Sequence, residues 1–191
     1  MDTQTRCPWC GTDQLYVQYH DTEWGRPLRD PRALWECLIL EGFQAGLNWI
    51  TILRKREMFR AAFAGFHPEI IANWGEADVL RLLADPGIIR HRGKIEATIA
   101  GAQAFLRIES AQGFSPYIWN HVGGQPITNQ LASTDAAQAQ TDLSAKLSKS
   151  LKSEGFKFCG PTISYAFMQA AGLVNDHLAV CDWHGRMAEL P

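Results

Sequence analysis

No run of apolar residues in this chain approaches the roughly 18 needed to cross a bilayer. The opening "MDTQTRCPWCG" also lacks the apolar centre of a secretory leader. A soluble, cytoplasmic protein with no membrane partner is therefore expected. Low-complexity tracts and internal repeats are missing, which leaves 191 residues for one sizeable core or two small lobes. Strong charge of either sign is absent: the net charge of −2 gives no general pull toward nucleic acid. Cysteines number five, an odd count that argues against a disulfide framework in a cytoplasmic chain. Metal ligation or plain burial remains for them. No convincing strand alternation occurs either, so an all-α protein is expected.

What is present is helical periodicity. "DPRALWECLIL" offers Asp30 as an N-cap and Pro31 at the first helical position, with Leu34, Trp35, Leu38 and Ile39 on one face. Gly42 and Gly46 bracket a break, and a second helix is expected from about Leu47 to Phe63. "GEADVLRLLADPGII" gives a short helix, and "HRGKIEATIAGAQAFLRI" another, with Ile95, Ile99 and Leu106 inward. A shorter helix is expected near Pro116–His121. "STDAAQAQTDLSAKLSKSLKSEG" predicts a long amphipathic helix closed by Gly155, and "GPTISYAFMQAAGL" a buried one. Residues 1–185 are expected to form one helical unit, with 186–191 as a tail.

Although the net charge is small, basic residues cluster: Arg54, Lys55 and Arg56; Arg90, Arg92 and Lys94; and the series Lys146, Lys149, Lys152 and Lys157. They permit a phosphate-binding surface. Seven tryptophans are many for this length and allow a stacking pocket. Two glycine-bearing hairpins, "LLADPGIIRHRGKIEA" and "LKSEGFKFCGPTISYAF", would let backbone amides approach a phosphate closely.

Two features need chemistry to explain them. In "LILEGFQAGLNWITIL", Glu41 interrupts a stretch that reads as core, and an unpaired buried charge costs several kcal/mol. At the two ends of the chain, Cys7, Cys10 and His20 face His177, Cys181 and His184 as candidate ligands. In "HLAVC" the four-residue spacing would put His177 and Cys181 one helical turn apart. A soft Cys/His set favours zinc, and four protein donors would make it structural.

Together, "YHDTEWGRP", "LEGFQAGLNWITILRKRE", "GIIRHRGKI", "GFKFCGPTISYAFMQAAGLVNDH" and the trailing Cys181 resemble the bacterial 3-methyladenine DNA glycosylase I family, from Arg6 to about Cys181. The resemblance implies a helix-hairpin-helix DNA glycosylase in which a structural zinc joins the N- and C-terminal segments. It implies Cys7, His20, His177 and Cys181 as the ligands, with Cys10 and His184 as rivals. The base pocket falls on Glu41, Tyr19 and Trp49, with Trp9 and Tyr16 as further aromatic walls. Leu47, beside Gly46, falls where a residue wedges into the DNA stack. The hairpin for backbone phosphates is placed at "GFKFCGPT", with Gly155, Lys157 and Gly160, and "GIIRHRGK" is the less favoured candidate. Asp176 is read as support for His177 rather than as a catalyst.

The implied enzyme acts on alkylated double-stranded DNA and releases free 3-methyladenine. It needs no nucleotide cofactor and suits a monomer. No lysine stands out as a Schiff-base nucleophile, which argues for a monofunctional hydrolase. Methylation at N3 makes adenine a cation and a good leaving group, so the harder tasks are base flipping and discrimination. Aromatic rings and a carboxylate would favour that cation. Two other readings use the same residues: a zinc-stabilised helical DNA-binding module without catalysis, and a metallohydrolase whose zinc acts on a small substrate.

Overall fold

In the computed structural model, which describes residues 4–188, helix starts follow the capping signals of the sequence. Asp13 accepts from the amides of Leu15 and Tyr16 and opens α1 (Gln14–Thr22). Asp30 accepts from Ala33 N at 2.8 Å, and Pro31 begins α2 (Pro31–Gln44) as expected. Gly42 does not break α2, so Glu41 stays inside the helix, and the break comes at 45–48. There Gly46 takes a left-handed φ of +81°. The next helix, α3 (Trp49–Ala62), therefore begins slightly later than its periodicity suggested. Then come α4 (Pro68–Ile71), α5 (Glu76–Ala84), α6 (Arg92–Gln112), α7 (Phe114–Trp119), α8 (Asp142–Ser153), α9 (Pro161–Ala170) and α10 (Asp182–Ala188).

The amphipathic stretch before Gly155 yields a shorter helix than expected. Thr141 accepts from Ser144 N at 3.2 Å while Ser144 Oγ accepts from Thr141 N at 2.9 Å. This reciprocal cap starts α8 at Asp142 and leaves most of 133–141 irregular. The interior of α6 is centred on Ile95, Thr98, Ala102 and Phe105, with Ile99 and Leu106 at its half-buried margin. In α9, Thr162 is exposed, so burial is confined to one side.

The chain is mostly helical rather than all-α, because two short parallel strands are present. β1 (Ile127–Thr128) pairs with β2 (Val174–Asn175), and a further bridge joins Leu131 to Leu178. Two-residue strands are too short to show alternation, and their pairing crosses more than 40 residues of chain. That pairing brings the loop after α7 against the segment that carries His177.

Around α2 the main core assembles from α3, α6, α7 and α9. Its buried residues include Trp35, Phe43, Phe59, Phe63 and Phe167. A smaller apolar cluster of Cys7, Leu178, Cys181, Trp183 and Met187 unites the two ends of the chain. Because α10 continues to Ala188 and Met187 is buried, the fold extends past the expected boundary at 185. Residues 189–191 of the expected tail lie outside the described residues. At the end of α9, Gly172 (φ +68°) lets the chain pass against Arg26: a Cβ there would lie 2.3 Å from the Arg26 carbonyl carbon. That approach brings the segment after α1 onto α9, where Gly25 N donates to Gln169 O and Leu28 N to Ala171 O.

Candidate active site

Helix α1 faces two ways at once. Tyr16 and Tyr19, three apart, turn toward a cavity of about 210 Å³, while His20 turns toward the chain ends. The second wall is α2, which contributes Glu41 and, one turn later, Gln44. Trp49, the first residue of α3, and Trp9, in a single 3-10 turn (Pro8–Cys10), complete the aromatic lining. Ring centres lie 5.0 Å apart for Trp9 and Tyr16, and 5.5 Å for Tyr19 and Trp49. All five residues read from the sequence as pocket residues thus meet in one cavity.

Glu41 is 3% exposed and makes no ion pair among the described residues. Four buried side-chain polar atoms lack a hydrogen-bond partner among the described residues, and three belong to residues of the cavity wall: Glu41 Oε2, Trp9 Nε1 and Trp49 Nε1. With no cation to offset its loss of water, burial pushes the Glu41 carboxyl from 4.5 up to about 8. Burial, followed by the Glu41 charge, also pushes the Tyr16 and Tyr19 hydroxyls up. The cavity wall therefore holds a buried carboxyl and two unpartnered indoles among flat rings. That is a cradle for a planar heterocycle, best matched by one bearing positive charge.

Tertiary structure adds residues that sequence reasoning did not single out. Gln44 follows Glu41 by three residues, a spacing that could have flagged it. Trp24 and Gln169 reach the wall from other elements, and no local pattern marks them; Asp176, read from the sequence in another role, joins them. Asp176 requires a correction. It does not support His177; its Oδ1 accepts from Asn129 Nδ2, and its Oδ2 accepts from Tyr165 Oη and Gln169 Nε2, all at 2.7 Å. Neighbouring residues of near-extended chain face opposite ways, so Asp176 and His177 enter different surroundings. Asp176 thereby braces the Gln169 side of the cavity.

Behind Trp9 lie Cys7, His20, His177 and Cys181, all buried, with donor atoms within 4.8 Å of one another. Cys7 Sγ is 3.6 Å from His177 Nδ1, while Cys181 Sγ is 3.5 Å from His177 Nδ1 and 3.6 Å from His20 Nε2. A tetrahedron with zinc-like bond lengths has edges of about 3.3–3.8 Å. The donor set therefore fits a closed, four-coordinate metal, with no position for a reacting substrate. Both rings are oriented from behind: His20 Nδ1 lies 2.7 Å from Asp21 Oδ1, and His177 Nε2 lies 3.0 Å from Trp24 O. His177 and Cys181 are not on a helix as their spacing suggested; a turn closed by Cys181 N donating to Leu178 O brings them together. The rivals point elsewhere. Cys10 Sγ donates to Cys7 O, and His184 Nε2 lies 2.8 Å from Asn129 O. The Trp9 and His20 ring centres are 5.3 Å apart, so the cluster backs one wall of the cavity.

Next to the cavity mouth, Gly46 and Leu47 form an exposed tip between α2 and α3, with Leu47 42% exposed. The α8–α9 hairpin carries Gly155 at φ +101°, an exposed Lys157, and Gly160 with open space where a side chain would be. In the other hairpin Arg90 is exposed, while the remaining cations are engaged. Arg92 pairs with Glu76 and Glu96, Lys55 of α3 donates to Pro86 O and Gly87 O, and Lys94 turns inward. Arg54 and Arg56 pair with Asp13 and Glu23. Among the described residues no helix is long and apolar enough to cross a membrane.

A family model described as methyladenine glycosylase matches residues 9–184. The chain is 50% identical over 177 residues to the DNA-3-methyladenine glycosylase 1 of Escherichia coli, covering 92% of this chain and 95% of that protein. A crystal structure of a 3-methyladenine DNA glycosylase I is similar with a TM-score of 0.92 and 52% identity, over 93% of this chain and 98% of that one. The Staphylococcus aureus 3-methyladenine DNA glycosylase I, solved for its recognition of 3-methyladenine, gives 0.91 at 41% identity, over 95% and 97%.

Proposed function

This chain belongs to the methyladenine glycosylase family, and from that premise we propose how its residues excise 3-methyladenine from alkylated double-stranded DNA. The enzyme acts in the cytoplasm as a monomer, without nucleotide cofactor, and leaves an abasic site. The observation that carries the reading is the buried, unpartnered Glu41 carboxyl among Trp9, Tyr16, Tyr19 and Trp49.

In this reading Leu47 wedges into the base stack beside Gly46, and the Gly155–Gly160 hairpin with Lys157 holds the backbone. The lesion turns into the cavity. At neutral pH the empty site holds Glu41 largely protonated, because its carboxyl titrates near 8. A cationic base draws the carboxyl into its charged form, and the proton leaves for solvent. The resulting charge-assisted bond, and cation–π contact of about 1–2 kcal/mol, are unavailable to neutral adenine. When the N9–C1′ bond breaks, its electron pair neutralises the departing base, and water supplies the hydroxyl at C1′ and gives up its other proton to solvent. Glu41 steadies the positive charge as it moves toward the sugar.

A zinc ion held by Cys7, His20, His177 and Cys181 joins the chain ends and serves no chemical step. It keeps Trp9 and α1 in place. The test is chromatographic identification of bases released from methylated DNA. Wild type should release 3-methyladenine, and Glu41→Gln should slow that release by roughly 10- to 100-fold with DNA affinity nearly unchanged. An equal loss of binding to undamaged DNA would contradict the pocket role of Glu41. Binding of methylated DNA without release by wild type would leave only a binding module.

A further inference from the structure

Lys94 was grouped by sequence with the phosphate-facing cations, yet it is 7% exposed and forms no ion pair among the described residues. A buried ammonium without a carboxylate is costly unless other groups compensate it. Here Nζ donates to Phe43 O and to Ala45 O, each at 2.8 Å. Both carbonyls lie at the C-terminal end of α2, where acceptors lack helical partners and the helix dipole favours a cation. They stand either side of Gln44, a residue of the cavity wall, and just before the exposed Gly46–Leu47 tip.

Two other segments meet at this point. A Cβ on Gly93 would lie 3.6 Å from Phe158 Cζ, and one on Gly42 would lie 3.5 Å from Phe158 Cβ. The Lys94 ammonium is 5.8 Å from the Phe158 ring centre. Phe158 belongs to the α8–α9 hairpin and holds a positive φ of 54°, a conformation that surrounding contacts must maintain. The start of α6, the end of α2 and the α8–α9 hairpin therefore converge on one side chain. An ordinary helix cap needs only a nearby residue; this one comes from about 50 residues away in sequence and joins the two segments assigned to DNA.

We propose that Lys94 is a positioning residue for base extrusion: by clamping Phe43 O and Ala45 O it fixes the Leu47 tip relative to the cavity and to the α8–α9 hairpin. This rests on the glycosylase reading above. Lys94 touches neither the cavity nor its ligand, so its loss should impair extrusion from a paired duplex while sparing recognition of a base already free.

The experiment compares wild type, Lys94→Met and Lys94→Arg in single-turnover release of 3-methyladenine from duplex DNA and from the same single strand. Binding of free 3-methyladenine and the thermal midpoint are measured alongside. Lys94→Met should slow duplex release by roughly tenfold or more, with single-strand release and free-base affinity changed by less than about threefold. Lys94→Arg, which keeps charge and donors, should fall between it and wild type. Combining Lys94→Met with Leu47→Ala should cost much less than the product of the single effects, because both act through the same tip. Equal losses on duplex and single strand, a matching loss of free-base affinity, or no loss at all would overturn the proposal. Should Lys94→Met fail to fold, the duplex-to-single-strand ratio of Lys94→Arg decides: a lower ratio supports it, a wild-type ratio overturns it. A wild-type protein that releases no 3-methyladenine from either substrate would instead remove the glycosylase reading.

Discussion

Replacing Glu41 by glutamine is expected to stabilise the protein, by an amount that grows as pH rises from 6 to 9. Burial lifts the Glu41 carboxyl from 4.5 to about 8 in the folded chain. Between those values the folded state keeps a proton that the unfolded chain has lost. Stability contributed by the neutral form is therefore complete below about pH 4.5 and is lost progressively as pH rises to about 8. At about 1.4 kcal/mol per pH unit, the loss reaches about 2 kcal/mol at pH 6 and about 5 kcal/mol at pH 9. Glutamine cannot ionise and escapes it. For a chain of this length each kcal/mol moves the midpoint by about 2–4 °C, so Glu41→Gln should melt about 10–20 °C above wild type at pH 9. At pH 6 the gap should be about half as large. Parallel melting curves for the two proteins across this range would show that the folded state does not bind the proton. The substitution that stabilises the fold is also the one expected to slow base release, as happens where a site holds strain for its ligand.

The second large effect should come from the chain ends. Removing zinc with a chelator, or replacing Cys181 by alanine, should lower stability by on the order of 5 kcal/mol, a drop of about 10–20 °C in the midpoint. Four buried donors converge, with three separations of 3.5–3.6 Å, and without an ion it falls mainly to a small apolar cluster and the hydrogen bonds between Thr5 and Asp182 to hold the first residues onto the last. Base release should fall with the loss of fold, because Cys7 and Trp9 are cavity wall. Metal analysis of the native protein checks the ligand set: one zinc per chain is expected, and substantially less after Cys181→Ala. A protein that loses zinc but keeps its midpoint would refute the structural role. A protein that keeps its fold but loses activity with zinc would restore the metallohydrolase reading.

Much of the architecture was written locally. Asp30 and Pro31 start α2 because a short acceptor side chain and a fixed φ act on the residues beside them. The apolar spacings of α2, α5, α6 and α9 similarly mark helices whatever surrounds them. The donor types at the two ends, and the odd carboxylate at 41, were visible as residues needing an explanation. Helix ends set by competing side-chain caps were less legible, as Thr141 and Ser144 show. So were β1 and β2, which exist only because distant segments pair.

What the sequence determined by itself was most of the helices, α2, α3 and α5 to α9 but not α1, α4 or α10, and the identities of the residues that carry chemistry, because propensity, capping and donor chemistry act over a few residues. Only the tertiary structure decided which way those residues face. It put Asp176 against Tyr165, Gln169 and Asn129 rather than behind His177, and it turned Lys94 from the surface onto the end of α2. It also left Glu41, among the described residues, without a partner in a cavity of rings. Burial and hydrogen-bond satisfaction are properties of the whole packed chain, and no window of neighbouring residues contains them.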